Sequence, residues 1–264
     1  MVDAYFHLIE RTGPAATFRT QPSAAGPWSR EHQHGGPPTA LLVHAAERLA
    51  ARETGRDDLA AHRVAAEFLG PVPMTDVTVE ARVLRAARAA VLVEARLSAA
   101  DRECLQARIW LVRLDDTTHL AAPAVQTTPP PETLPGLGAT FPYADSIEWR
   151  SELGGLGARG PARIWARPRL RIVAEHEASG LARAALIGDS ASGVSAELDW
   201  SVWSFLNIDL DVHLSRPVSG PWLLLDAATT LGRTGAALAR ATLSDLDGIV
   251  GATAQTLVVE PRRS

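Results

Sequence analysis

The chain has 264 residues, of which 46% are hydrophobic, and a formal net charge of -4 at pH 7. This length is enough for one large domain or two of ordinary size with an ample core. The acidic balance argues against non-specific nucleic-acid binding. Because Cys104 is the only cysteine, an intramolecular disulfide and a cysteine-based zinc site are excluded. We expect Cys104, which lies in a strand-like run, to be a small buried apolar residue.

The N-terminus and the hydropathy pattern predict a cytoplasmic protein. The first residues lack a basic stretch followed by a long apolar run, so we expect no signal peptide. No apolar run reaches the roughly 18 residues that a membrane-spanning helix requires. Apart from histidine, the basic side chains are all arginine, a usage typical of GC-rich genomes such as those of actinobacteria.

Residues 4–20 are predicted to form an opening segment with a short strand, followed by a turn over 22–26. The loop that follows carries His32 and His34. Two nearby histidines are compatible with a metal site, but no further cluster of ligand side chains accompanies them. We therefore expect no metal here and a local hydrogen bond for each loop histidine.

A buried helix of about four turns is predicted over residues 38–53. Gly35 and Gly36 precede two prolines, and proline is favoured at the first helical position, where its missing N–H costs nothing. Apolar side chains then recur at positions 41, 42, 45, 46, 49 and 50, which form one broad helical face. Free backbone N–H groups at the glycines would suit an oxyanion or a carbonyl oxygen, which makes Gly35 and Gly36 candidate substrate-binding residues. The alternative is a plain Gly-Pro helix start.

A set of strands is predicted after this helix, beginning over residues 62–69 and continuing over 74–84, 89–97 and 102–114. Apolar and polar side chains alternate over 74–84 and 89–97 with the period of two that a half-buried strand requires. The turns between the strands are short, and short connections join antiparallel neighbours. Residues 62–114 are therefore predicted to form an antiparallel meander, with the helix packed on its apolar face.

A proline-rich stretch separates two halves of the chain. Residues 117–161 contain a Pro-Pro-Pro run and several further prolines and glycines, and they are too long for a turn within a compact unit. We therefore predict an N-terminal unit over residues 1–116, a connector over 117–161 and a C-terminal unit over 162–264.

The C-terminal half repeats the pattern of the first. The predicted elements are a strand over 162–173, a helix over 177–188 and strands over 205–214, 222–230, 236–243 and 249–259. The run from Leu97 to Asp101 matches the run from Leu243 to Asp247 at an offset of about 146 residues. The predicted fold class is therefore α+β, a duplicated unit of one long helix wrapped by an antiparallel sheet.

This duplicated arrangement resembles the double hotdog fold, and several segments resemble those of the type II (TesB-like) acyl-CoA thioesterases. Their order matches that family over nearly the whole chain. The segments that carry the resemblance are residues 34–42, 68–73, 207–217, 222–225 and 248–255. The resemblance implies an enzyme that hydrolyses an acyl thioester to the free acid and CoA without a cofactor.

The same resemblance implies a water-activating site of Asp, Thr and Gln in the second half. By position, Asp189 and Gln255 take the first and last places, and Asn207 stands where the family has Thr. Asn207 can bond a water molecule but has no hydroxyl group. In the alignment of the two halves Ile109 stands opposite Gln255, which favours one working site per chain. Each site residue also has a structural interpretation: an ordinary cap or an exposed helix-end residue for Asp189, a solvent-facing strand residue for Gln255, and a sheet-edge residue for Asn207.

Three further polar residues follow Asn207 on the same predicted strand. Asp209, Asp211 and His213 alternate with apolar residues, which predicts a solvated strand face. An Asp211–His213 dyad is the alternative.

Two other functions stay open beside thioester hydrolysis. A catalytically weak acyl-CoA or acyl-carrier binding protein of the same fold is favoured by Asn207 in place of Thr. A hotdog hydratase or dehydratase would place an Asp/His pair near the helix start, where His34 is present but the loop holds no Asp. As partners we expect an acyl-CoA or other acyl thioester, no nucleic acid, no membrane, and a second copy of the chain in a dimer or higher homo-oligomer.

Overall fold

The computed structural model describes residues 3–121, 127–138 and 140–262. Residues 122–126 and 139 of the predicted connector lie outside the described residues. The helices are α1 (Gly36–Thr54), α2 (Pro142–Asp145), α3 (Gly180–Gly188) and α4 (Ala191–Val194). The strands are β1 (Ala4–Thr12), β2 (Ala15–Thr20), β3 (Leu59–Phe68), β4 (Val77–Ala86), β5 (Ala90–Ala99), β6 (Arg102–Arg113), β7 (Ile147–Leu153), β8 (Ala162–Pro168), β9 (Arg171–Val173), β10 (Trp203–Asn207), β11 (Asp209–Leu214), β12 (Leu223–Leu231), β13 (Ala236–Asp245) and β14 (Gly248–Pro261).

One continuous sheet joins the two halves of the chain. Its strand order is β7-β8-β12-β13-β14-β11-β3-β6-β5-β4-β2-β1-β9, and β10 pairs with the last part of β14. At the centre, β11 lies antiparallel to β3, with Asp211 opposite Ala65. At one edge β9, which comes from the second half, pairs in parallel with β1. Strand pairing therefore joins the two halves at two places in the sheet.

Helix α1 packs against the first-half strands, as the apolar spacing predicts. Its buried face includes Leu41, Leu42, Leu49 and neighbouring small residues, and it packs on β3 to β6 and on α3. Each fully buried Leu contributes about 1.5–3 kcal/mol relative to an exposed one. The helix ends at Gly55, whose φ of 63° is a left-handed conformation that glycine adopts without strain. The helix predicted over residues 38–53 is confirmed.

The meander predicted over residues 62–114 is wrong in its first connection, because β3 pairs with β6 and not with β4. The structure departs from the predicted elements at further places. Strand β7 lies inside the stretch predicted as connector. The sequence did not indicate this strand, because its short alternation is surrounded by prolines and glycines. The strand predicted over 162–173 is divided into β8 and β9 after Pro168, which cannot donate a ladder hydrogen bond. The strand predicted over 205–214 is divided at Ile208. There the register against β14 shifts by one residue, since Asn207 opposes Leu257 but Asp211 opposes Ala254.

Two smaller expectations can be compared with the structure directly. Cys104 is fully buried and free, as predicted. Among the described helices, none has the length and apolar character needed to cross a membrane.

Candidate active site

The C-terminal end of α3 places Asp189 in the interior of the molecule. Ser179 caps the start of this helix by accepting a hydrogen bond from the Ala182 N–H at 3.1 Å. The helix then runs through an apolar sequence to Gly188, and the chain turns directly into α4. Asp189 and Ser190 lie between the two helices, and Asp189 is only 5% exposed. The alternative of an exposed residue at a helix end is therefore wrong.

Asp189, Asn207 and Gln255 come together through hydrogen bonds to one carboxylate oxygen. The Asn207 amide donates to Oδ1 of Asp189 at 2.9 Å, and the Gln255 amide donates to the same oxygen at 3.1 Å. Gln255 Nε2 also reaches the Asp189 backbone carbonyl, while its Oε1 accepts from the Ser192 N–H at 3.1 Å. Gln255 is 1% exposed, so the solvent-facing alternative for this side chain is wrong.

Strand β14 delivers Gln255 to the inside because its side chains alternate between the two faces of the sheet. Thr253, Gln255 and Leu257 are buried on the inner face. Asn207 lies opposite Leu257 at the end of β10, next to the register shift. The two side-chain amides therefore reach Asp189 from neighbouring strands, Asn207 from the end of β10 and Gln255 from β14.

The second oxygen of Asp189 faces a residue for which the sequence predicted only a local contact. Nδ1 of His34 lies 2.9 Å from Asp189 Oδ2. The predicted local contact is also present, since the Gly36 N–H points at the same Nδ1 at 3.2 Å. The Asp/His pair that the loop before α1 could not supply is thus completed by the other half of the chain. Sequence reasoning missed it because the two residues are 155 positions apart.

Tyr143 of α2 holds the His34 ring in place from one side. The two rings stack with their centroids 3.8 Å apart and their planes within 8°. The Tyr143 hydroxyl donates to the Leu186 carbonyl at 2.6 Å and bonds the Ser190 hydroxyl at 3.0 Å. Burial above all, then the charge of Tyr5 and last that of Asp189, raises the pKa of Tyr143 well above its ordinary value, against the hydrogen bond with Ser190. Tyr143 is therefore a protonated, fixed support.

Gly35 and Gly36 are needed because the start of α1 lies against the end of α3. A Cβ atom on Gly36 would lie 2.3 Å from the Leu186 carbonyl oxygen, and one on Gly35 would lie 2.9 Å from Asp189 Oδ2. A Cβ atom at Gly36 would require the backbone of α3 to move, and one at Gly35 would displace the Asp189 and Phe68 side chains. Pro37 and Pro38 carry no N–H, so Gly36 is the only one of the first three helical residues with a backbone donor, and its N–H faces His34 Nδ1.

The predicted solvated face on β11 is only partly solvated. Asp209 accepts hydrogen bonds from the backbone N–H and the hydroxyl of Thr256 and so fixes the register shift. Asp211 pairs with the Arg63 guanidinium at 3.2 Å, and His213 is exposed. The partners of Asp211 and His213 give no support to a dyad between them.

The arrangement amounts to a buried carboxylate with two amide donors on one oxygen and an imidazole on the other. Within the described ranges, no group of three or more His, Cys, Asp or Glu side chains is placed to hold a metal ion. A carboxylate and an imidazole in contact can orient a water molecule and take up its proton.

Comparison with known proteins gives matches over nearly the whole chain. A family model described as the acyl-CoA thioesterase N-terminal domain matches residues 24–112, and one described as the acyl-CoA thioesterase C-terminal domain matches residues 116–259. No curated protein matches the chain in sequence.

Among solved structures, the chain is similar to a tesB protein from Mycobacterium avium subspecies paratuberculosis, with a TM-score of 0.71, 18% identity and 96% of each chain covered. It is also similar to the acyl-CoA thioesterase II TesB2 of Mycobacterium marinum, with a TM-score of 0.70, 14% identity, and 97% of this chain and 96% of that one covered. A hot dog fold protein from Alicyclobacillus acidocaldarius gives a TM-score of 0.71 at 16% identity, with 97% and 96% covered. At these identities the likeness to the structures concerns the fold.

Proposed function

The chain belongs to the acyl-CoA thioesterase family, whose two domain models cover both of its halves, and on that premise we propose that Asp189, Asn207 and Gln255 form its hydrolytic site. The double hotdog fold and the thioester hydrolase activity predicted from the sequence are confirmed by the family and the fold. The residues that carry out the reaction are the proposed part.

The observation that carries the proposal is the shared oxygen of Asp189. Two amides from different strands donate to Oδ1 of a carboxylate that is 5% exposed. Burying a charged carboxylate is unfavourable unless hydrogen bonds compensate for the lost water, and a buried carboxylate held by two convergent amides is a candidate functional group. A structural cap at the end of α3 would need neither Asn207 nor Gln255.

Thioester hydrolysis requires little more than an oriented water molecule and a base. The leaving thiolate comes from a thiol whose ordinary pKa is near 8.5, so it departs without strong acid assistance. Asp189 supplies the negative charge that drives removal of the proton from water. Asn207 and Gln255 fix the direction of the carboxylate, which keeps the reacting groups in a near-attack geometry.

Asn207 fulfils part of the role that the family assigns to Thr. Its Nδ2 group donates to Asp189 Oδ1, and a second, longer contact of 3.2 Å reaches the Asp209 carbonyl. A threonine hydroxyl could make the first hydrogen bond but not both at once. The substitution therefore keeps the donor to the carboxylate, which favours an active enzyme over a binding protein.

Thiol release from a panel of acyl-CoA thioesters of short to long chain tests the proposal. We expect the wild type to release CoA, and Gln255→Ala and Asn207→Ala each to lower kcat by about 100-fold, because the carboxylate loses its fixed direction. Gln106→Ala is the matched control, since Gln106 is also a strand glutamine but bonds Glu67 away from the site.

Three outcomes contradict the proposal. If both variants keep wild-type turnover, the cluster is structural. If the wild type binds acyl-CoA without releasing thiol, the protein is a binding protein, and if it adds water to an enoyl-CoA instead, it is a hydratase. The cytoplasmic location and the homo-oligomeric state remain predictions.

A further inference from the structure

We infer that His34 is the general base of this site and that Asp189 acts through it as the positioning carboxylate. The inference rests on the proposed function and deepens it, because it names the atom that takes the proton from water. That atom is His34 Nε2.

Access to solvent distinguishes the two side chains. The Asp189 side chain is 3% exposed, whereas that of His34 is 12% exposed. Oδ1 of Asp189 already accepts two amide hydrogen bonds, and Oδ2 lies against the imidazole. A water molecule that attacks a substrate therefore meets the imidazole more readily than the carboxylate behind it.

The contact between the two side chains determines which ring nitrogen is free. Nδ1 either carries a proton and donates a hydrogen bond, or has a lone pair and accepts one. Both an acceptor, the Asp189 carboxylate, and a donor, the Gly36 N–H, face it. An unprotonated Nδ1 at 2.9 Å from a carboxylate oxygen would be repelled by it. A charge-assisted hydrogen bond at this distance is also stronger than the neutral one from Gly36 at 3.2 Å. The proton therefore lies on Nδ1, and Nε2 keeps its lone pair.

The same arrangement frees a donor for the developing oxyanion. When Nδ1 carries the proton, the Gly36 N–H has no acceptor on the ring and is available at the start of α1. Backbone N–H groups at a helix start favour negative charge. Stacking on Tyr143 keeps the ring plane constant while its charge changes.

The proposed step is balanced within these groups. Nε2 takes a proton from water as the water oxygen forms a bond to the thioester carbonyl carbon, and the carbonyl π pair moves to the oxygen. When this tetrahedral intermediate collapses, the C–S bond breaks and its electron pair leaves with sulfur. The imidazolium then returns its proton to the thiolate, so that acid and thiol are released and His34 is neutral again.

His34→Gln is the decisive variant, because glutamine can still donate to Asp189 but cannot accept a proton. We expect its kcat to fall by about 100-fold or more. We also expect this variant to lose the low-pH limb of the wild-type rate profile, because it lacks the proton acceptor. His32→Gln in the same loop is the matched control and should retain both turnover and the limb. Added imidazole should restore part of the activity of His34→Ala.

The outcomes separate this inference from the proposed function. If His34→Gln retains turnover and the low-pH limb while Asp189→Asn is inactive, Asp189 is itself the base and the inference is wrong, although the proposed function stands. If His34→Ala is inactive, imidazole has no effect and His34→Gln keeps the limb, the ring is only structural. If the wild type releases no thiol, both fail.

Discussion

Helix α1 carries a buried and a half-buried titratable side chain, one turn apart, whose pKa values are shifted in opposite directions. Burial above all, together with the positive charges of His176, Arg48 and Arg11, lowers the pKa of His44 to about 4. Burial raises the pKa of Glu47 to about 7, against the hydrogen bonds from Ser179 and the Ala61 backbone.

The two pKa shifts make the free energy of unfolding change with pH in opposite directions. As the pH falls from 6.5 towards 4, His44 becomes protonated in the unfolded state but stays neutral in the folded state, so stability is lost as the pH falls. Unfolded Glu47 loses its proton near pH 4.5, whereas the folded carboxyl keeps it until about pH 7, so stability is lost as the pH rises. At about 1.4 kcal/mol per pH unit of displacement, each contribution is at most about 3 kcal/mol.

Urea unfolding of His44→Gln and Glu47→Gln between pH 4.5 and 7 isolates the two contributions. In the wild type they oppose each other over most of this range. His44→Gln should lose up to about 3 kcal/mol as the pH rises, because only the Glu47 contribution is left, and Glu47→Gln should gain stability in the same direction. If both variants follow the wild-type profile within about 0.5 kcal/mol, these side chains are solvated and the reasoning is refuted.

Two substitutions test how α1 and α3 meet at the site. Gly36→Ala should lower the free energy of unfolding by about 1–3 kcal/mol and reduce turnover, because its Cβ would lie 2.3 Å from the Leu186 carbonyl oxygen. Gly136→Ala is the control, since a Cβ there would lie 3.9 Å from its nearest neighbour atom. Equal unfolding midpoints for the two variants would contradict the close approach of α1 and α3. Ser179→Ala should cost about 1 kcal/mol through loss of the cap on the Ala182 N–H, as measured by urea unfolding, and an unchanged midpoint would show that the cap contributes nothing.

The sequence was sufficient for α1 and most strands because their patterns are local. The apolar spacing of α1 and the alternation in β4 and β5 are properties of neighbouring residues, and the structure bears them out. Strand β7 could not be found in this way, because its pairing with β8 decides its conformation while proline and glycine dominate its surroundings. The register shift at Ile208 depends on β14, some 50 residues away, and has no local signal.

The candidate site, like the fold, could be predicted from the sequence only in part. Asp189, Asn207 and Gln255 could be named from the family resemblance, and the structure brings their side chains into contact. His34 could not be connected with them, because it belongs to the other half and reaches Asp189 only when α1 packs against α3. A contact that forms only when two helices pack together produces no recognisable residue spacing in the sequence.

Turnover of an acyl-CoA by Asp189→Asn at saturating substrate tests the central claim most directly. The substitution keeps the size of the side chain but removes its charge, so we expect kcat to fall by at least about 100-fold while substrate still binds. Asp211→Asn, at a partly exposed aspartate paired with Arg63 on β11, should keep wild-type turnover. Wild-type turnover by Asp189→Asn would show that hydrolysis takes place without this carboxylate and that the assigned site is wrong.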